Sequence, residues 1–405
     1  MDKKPAVGVF LDLNEKKALF LLQSYNNFQK ESVNSTCGYF KECSALVRSN
    51  PISEIHKYVR IPFLAFLDNF KLDYKIDLTN IPSNLRVYPT PILYAPINSQ
   101  YKKLGQKHFD VAEKAIKEHQ IEFDLVHSHF TWSSGHAGAK LKEKYGVPFV
   151  VTGHGYDIYE QPFKSDEWKE KIEYVLNSAD AIITVSHSNL ACIRKLDVKT
   201  PVHVLPNGYR SDQFYQMDME KCRSTLGLPL DKKIIVAVGN LLKIKGHRYL
   251  IEAMAEVVRH RTDVVCFIVG GGALEKELKE QIRATGLQDY VKLTGSKPHG
   301  EIPLWMNACD IFVLPSLNEG NPTVMFECLG CGKPFVGTRV GGVPEIIVSE
   351  DYGLLTDPEN PAGLAEKILS ALDKKWDKAK IKEYSSQFTW AEIAKNIAEI
   401  YKGLF

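Results

Sequence analysis

Short apolar runs alternate with amphipathic stretches along almost the whole chain. In the first half the runs are "ALFLLQ" from Ala18, "RVYPTPI" from Arg86, "FDLVHSH" from Phe123, "VPFVVTGH" from Val147, "ADAIITVS" from Ala179 and "PVHVLPN" from Pro201. Helix-period patterns lie between them, such as "FDVAEKAIKEH" from Phe109 and "AGAKLKEKYG" from Ala137. A polar stretch with turn character, "PNGYRSDQF", interrupts the series. It then restarts with "KIIVAVGN" from Lys233, "VVCFIVGGG" from Val264, "VKLTG" from Val291, "DIFVLPS" from Asp310, "PFVGT" from Pro334 and "GLLTD" from Gly353, separated by helices such as "HRYLIEAMAEVVRH" and "LEKELKEQIRATG". Strand and helix in strict alternation predict βαβ units and parallel sheets. The break predicts two doubly wound domains, 1–209 and 210–389, facing across a cleft. A last amphipathic segment, 390–405, is expected to pack back on the first.

Composition narrows the function classes. A length of 405 residues suits two domains, and 44% hydrophobic with 25% charged residues is ordinary for a water-soluble chain. A net charge of +2 without basic runs argues against nucleic acid as a partner. Runs such as "IIVAV" are too short to cross a bilayer, and the charged N-terminal stretch reads as no signal peptide. Eight scattered cysteines predict reduced thiols in a cytoplasmic protein. The lone C-x-x-C at Cys328 and Cys331 reads as two small helix residues, because no second pair follows to complete a zinc site.

The densest chemistry lies in "LPSLNEGNPTVMFECLGCGKPFVGT" from Leu314. A buried strand ends there, a turn follows, and Pro322 opens a helix whose free amides at Thr323 and Val324 suit a phosphate. Glu319 precedes that point and Glu327 lies inside the helix. Carboxylates beside a phosphate are electrostatically wrong unless they accept hydrogen bonds from something neutral attached to it, and sugar hydroxyls fit. In "VGNLLKIKGHRYLI" Lys245 stands before another helix start, where a fixed cation can neutralise a diphosphate. Gly270, Gly271 and Gly272 after a strand allow close approach of backbone to a ligand, without the spacing of a dinucleotide fingerprint. In the first half His127, His129, His154 and Asp157 fall at strand ends. His127 and His129 read as hydrogen-bonded structural residues in preference to metal ligands, and His154, between two glycines, as the one placed for substrate.

Taken together, these motifs resemble retaining glycosyltransferases of the GT-B fold, specifically glycosyltransferase family 4. The most specific match is E-x7-E, Glu319 to Glu327, joined in order by "VVTGHGYD", "ITVSHSNL", "VLPNGYRSDQF", "VGNLLKIKGH", "VGGVPEII" and "GLLTDPENPAGLAEKI". The resemblance implies that Glu319 meets the donor sugar's hydroxyls, Glu327 the ribose and Lys245 the diphosphate. It implies a cradle of backbone from Gly320, Asn321, Pro322, Thr323 and Val324, with His154 at the reaction centre and Gly38 in a loop facing the donor phosphates. Asn240 stands where many members carry a second diphosphate-binding arginine, and Arg248 and Arg339 are candidates to replace it. No D-x-D triplet occurs, so no metal or other cofactor is implied and the nucleotide sugar is a substrate.

The reaction expected is transfer of a sugar from a nucleotide-diphosphate sugar such as a UDP-sugar to an acceptor hydroxyl, with retention, His154, Lys245 and Glu319 being the catalytic candidates. An epimerase or hydrolase of the same fold, or a non-catalytic nucleotide-sugar-binding protein, is the alternative. The acceptor class expected is a glycan or a lipid-linked molecule, as in polysaccharide biosynthesis. The aromatic and basic segment from Ile55, "IHKYVRIPFLAFLDNFKLDYK", reads either as a peripheral contact with the inner face of a membrane or, by preference, as a core strand and loop.

Overall fold

The computed structural model describes residues 12–55, 71–95 and 97–405. The N-terminal stretch and the centre of the aromatic, basic segment from Ile55 lie outside the described residues. The chain divides into two units, one of residues 1–185, 189–205 and 391–405, the other of 186–188 and 206–390.

The first unit holds a seven-stranded parallel sheet. Its strands are β1 (Lys17–Leu22), β2 (Glu42–Ser49), β3 (Leu85–Pro91), β4 (Leu125–His129), β5 (Phe149–Gly153), β6 (Ala181–Thr184) and β7 (Val202–Val204), in the order β3-β2-β1-β4-β5-β6-β7. The second unit holds six parallel strands, β8 (Lys233–Val238), β9 (Val264–Val269), β10 (Val291–Gly295), β11 (Ile311–Leu314), β12 (Phe335–Thr338) and β13 (Gly353–Thr356), in the order β10-β9-β8-β11-β12-β13.

Both faces of the second sheet are covered, which is why its strands read as unbroken apolar runs. Along β8, Ile234, Val236 and Val238 join one core with Phe312 and Phe335, while Ile235 and Ala237 join the other with Val313, Leu250 and Met254. In the first unit Leu19, Leu21, Val126, Phe149 and Val151 form one such core. The last helix, Trp390–Lys402, belongs to the first unit from residue 391 onward. Its Tyr401 is fully buried against Phe40, with the hydroxyl 2.6 Å from His127 Nδ1.

In each sheet the strand order reverses once, between β1 and β4 and between β8 and β11. Ligands of doubly wound sheets sit outside the C-terminal strand ends at that reversal. The turn after β8 contains Asn240 and Lys245, and the turn after β11 contains Glu319. No described helix is long and apolar enough to cross a membrane.

Candidate active site

After β8 the chain forms a short 3-10 turn, Lys243–Lys245, and Gly246 then starts the helix His247–His260 from a left-handed conformation, φ +66°. A side chain at Gly246 would put its Cβ 1.9 Å from the Pro315 carbonyl oxygen, so only glycine lets this turn lie against the end of β11. That contact carries Lys245 to the β11 turn. Its Nζ donates to Glu319 Oε1 at 2.7 Å, and the buried Ser316 hydroxyl donates to the same oxygen at 2.7 Å. Glu319 is 9% exposed.

The Glu319 turn is braced from β12. Gly341, at φ +50°, sits so close that a Cβ would lie 1.6 Å from the Glu319 carbonyl oxygen. The Gly342 amide donates to the Gly320 carbonyl at 3.0 Å. Asn321 is buried and faces inward: its Oδ1 accepts from the Asn207 amide and its carbonyl from Asn207 Nδ2, both at 2.8 Å. Asn321 therefore shapes the turn with its side chain turned into the protein.

Pro322 caps the helix Thr323–Gly330 with extended backbone, leaving the amides of Thr323 and Val324 without partners inside the helix. Glu327 lies one turn further in, 6% exposed. Burial pushes its carboxyl pKa up to about 8. His299 Nε2 is 3.6 Å from Glu327 Oε1.

In the first unit His127 is spent on structure, its two ring nitrogens meeting Tyr401 Oη and Thr152 Oγ1 at 2.6 and 2.7 Å. His129 Nδ1 meets His154 Nε2 at 3.0 Å. His154 follows β5, with Phe28 and Phe130 against its ring. Burial holds its pKa well below the usual imidazole range, so the ring is neutral. Asp157 fixes this turn by accepting from the amides of Thr131, His154 and Gly155 at 2.9 to 3.0 Å.

Two expectations need correction. Gly38 does not belong to a loop following the first strand. The helix Asn27–Cys37 intervenes, and Gly38 caps its far end just before β2, at the N-terminal edge of the sheet and away from the ligand edge. The loop that follows β1 is Gln23–Asn26, whose polar residues gave no glycine signal. The glycines after β9 serve a contact inside the protein: a Cβ at Gly270 would lie 2.0 Å from the Gly239 carbonyl oxygen, and one at Gly272 would meet Leu241 backbone at 2.7 Å. They make room for the turn after β8. Arg248 pairs with Glu252 at 3.4 Å and lies over Tyr249, while Arg339 lines a cavity of about 180 Å³ with Glu350 and Lys367. Cys328 and Cys331 are buried free thiols. Among the described residues no three His, Cys, Asp or Glu side chains are grouped to hold a metal ion.

Sequence reasoning named Lys245 and Glu319 separately and missed both their direct pairing and the hydroxyl of Ser316. The serine was visible in "PSLNE", three residues before the acid.

Two family models match the chain in succession: Glycosyltransferase Family 4 over residues 73–213 and Glycosyl transferases group 1 over residues 218–388. The putative teichuronic acid biosynthesis glycosyltransferase TuaC of Bacillus subtilis is 32% identical over 271 residues, which span 66% of this chain and 66% of that protein. Among solved structures, sucrose-phosphate synthase from Thermosynechococcus elongatus superposes with a TM-score of 0.75 at 20% identity, covering 96% of this chain and 99% of that one. Anabaena Alr3699/HepE, solved in complex with UDP, gives 0.73 at 22% identity, covering 96% and 100%. At such identities the structural likeness speaks for the fold.

Proposed function

We infer the activity from a premise these matches supply: the chain belongs to glycosyltransferase family 4, has the GT-B fold and is an enzyme of the hexosyltransferase type. We propose that its second unit binds a nucleotide-diphosphate sugar and that the sugar passes to an acceptor hydroxyl with retention. The observation that carries this reading is the Lys245–Glu319 pair, 2.7 Å long, beside the first turn of the helix Thr323–Gly330. It joins a cation for phosphate, a carboxylate for hydroxyls and unpaired amides at one strand edge. HepE, of the same fold, binds UDP, which supports a nucleotide donor.

In this reading the bond between the anomeric carbon and the diphosphate oxygen breaks while the acceptor hydroxyl attacks from the same face. The hydroxyl proton passes to the departing phosphate oxygen. Lys245 and the amides of Thr323 and Val324, in a cradle formed by Gly320, Asn321 and Pro322, stabilise the charge that grows on the diphosphate. Glu319 accepts from the donor sugar's hydroxyls and Glu327 from the ribose. Asn240, exposed after β8, offers a hydrogen bond in place of a second charge. His154, neutral, belongs to the acceptor side in the first unit. The acceptor is a glycan or a lipid-linked molecule, met in the cytoplasm or at the inner face of a membrane.

Calorimetry with UDP, GDP and ADP tests the donor site. Saturable binding of one of them, lost in Lys245→Ala, is expected, and no binding of any at millimolar concentration overturns the reading. Mass analysis of products then separates transfer from isomerisation or hydrolysis.

A further inference from the structure

The ligand edge of the second sheet holds a buried polar group that the donor chemistry above leaves unused. His247 is the first residue of the helix His247–His260 and is 2% exposed. Among the described residues neither of its ring nitrogens has a hydrogen-bond partner. Burial lowers its pKa to about 4; the backbone of Asn240 and Gly239 works against that shift, and the Lys245 ammonium adds to it. The ring is therefore neutral, with one N–H to donate and one bare nitrogen. A buried N–H without an acceptor is costly, and folded chains seldom keep one without a use for it.

The ring faces an opening at the end of β8. Gly239 follows that strand, half-buried, and its amide donates to the Val269 carbonyl at 3.0 Å. A Cβ placed on Gly239 would lie 3.8 Å from His247 Nε2 and 3.8 Å from Lys245 Cδ, with nothing nearer. Its backbone lies outside the left-handed region. Neither conformation nor internal packing therefore demands glycine here, in contrast to Gly246, Gly270, Gly272 and Gly341. The room left by the missing side chain is room for a ligand. It opens at the C-terminal end of β8, beside the reversal of strand order and between Lys245 and the start of a 14-residue helix. The first amides of that helix have no partner inside it.

We propose that His247 is a further donor-binding residue: its neutral ring donates, across the space at Gly239, to an oxygen of the nucleotide's diphosphate. The inference rests on the donor reading above and adds a residue to it. It also bears on Asn240. With an amide there in place of a second cation, the diphosphate meets one fixed charge at Lys245 and neutral donors from Asn240 and His247. The helix start and Lys245 both oppose positive charge on the ring, so the neutral imidazole makes the bond. An N–H given to a phosphate oxygen is a charge-assisted hydrogen bond, and this ring is already out of water before the ligand arrives.

Calorimetry with UDP, GDP and ADP on the full chain is the test, read beside melting in ligand-free buffer. His247→Leu keeps the packing volume and removes the unpaired N–H. It should melt no lower than the parent, yet bind the nucleotide diphosphate about tenfold more weakly or worse. A packing role alone does not move affinity down while stability holds. His247→Gln, whose amide reaches the same place, should restore affinity to within a few-fold of the parent. Gly239→Ala should also melt no lower than the parent, since its methyl enters open space, and should bind at least several-fold more weakly because that methyl occupies the ligand's room. Parent-like affinity in His247→Leu, equal losses in His247→Leu and His247→Gln, or parent-like affinity in Gly239→Ala each overturns the proposal and leaves the donor site standing. Should His247→Leu fail to fold, Gly239→Ala carries the test: a several-fold loss supports the proposal and an unchanged affinity overturns it. A parent that binds none of the three nucleotides overturns the donor reading and this proposal together.

Discussion

If Glu327 holds the ribose as proposed, nucleotide binding depends on pH. Its carboxyl is 6% exposed and burial raises its pKa to about 8 from 4.5. His299 Nε2, at 3.6 Å, is beyond hydrogen-bonding reach and does not offset that burial. A ribose held by the ionised carboxylate can bind only after the proton has left. One pH unit below the pKa, this removal costs about 1.4 kcal/mol. Affinity for a nucleotide diphosphate should therefore fall about tenfold from pH ~9 to pH ~7. The nucleotide's own terminal phosphate, ionising near pH ~6, contributes little to that change. The same proton acts on the ligand-free fold with the opposite sign. A carboxyl whose pKa is raised by folding stabilises fully below its unfolded value, and that stability is lost as pH climbs through the folded one. Denaturant titrations should lose about 1.4 kcal/mol per pH unit between about pH 5 and 8 from this group. Glu327→Gln keeps the shape and has no proton to lose, so it should flatten both slopes. The assay is calorimetry at three pH values on parent and variant. An affinity that is level from pH ~7 to ~9 in the parent, or a slope that survives in Glu327→Gln, refutes the reasoning.

Other variants address the opposite side of the site. Lys245→Ala should lower turnover by ~10²–10³ in steady-state kinetics, if the cation acts as proposed on charge that grows in the transition state. It should also melt below the parent, and adding Glu319→Gln should recover part of that loss by removing the carboxylate left unpaired. Ser316→Ala should reduce kcat with little change in KM, and Ser316→Thr should restore it, since the hydroxyl acts by orienting Glu319. Gly341→Ala drives a methyl against the Glu319 carbonyl and should cost at least about 2 kcal/mol in chemical denaturation, with nucleotide affinity falling in parallel.

How much of this was legible depended on what each segment buries. The strands β8, β9 and β11 are covered on both faces and announce themselves as apolar runs. The strand β2 was not read from the sequence, because "ECSALVRS" carries Glu42, Ser44, Arg48 and Ser49 around a short apolar centre. Those polar residues are tolerated through tertiary partners, as Arg48 is by Ser133, and such partners leave no local trace. Gly38 misled for a related reason. Its nearness in sequence to β1 suggested a loop at the ligand edge, whereas a three-turn helix carries the chain to the other edge before that glycine is reached. The motif around Glu319 was legible because its spacing is local. The 74-residue separation from Lys245 was not, and only the fold closes it.

That closure bears on how the site discriminates. Gly246 against Pro315, Gly270 against Gly239 and Gly341 against Glu319 fasten the turns after β8, β9, β11 and β12 to one another by contacts that leave no room for a Cβ. The Lys245–Glu319 geometry is thus built in before any ligand arrives. A diphosphate that draws Lys245 to itself takes a cation away from a carboxylate that is 9% exposed and leaves it only the Ser316 hydroxyl. A nucleotide diphosphate alone therefore opposes its own binding, because it strands a buried charge. A complete donor does not: its sugar hydroxyls replace the ammonium at Glu319 while its diphosphate replaces the carboxylate at Lys245. On this reasoning the ion pair is a reason for the site to hold the intact nucleotide sugar more tightly than the spent nucleotide, and to lose that preference in Glu319→Gln.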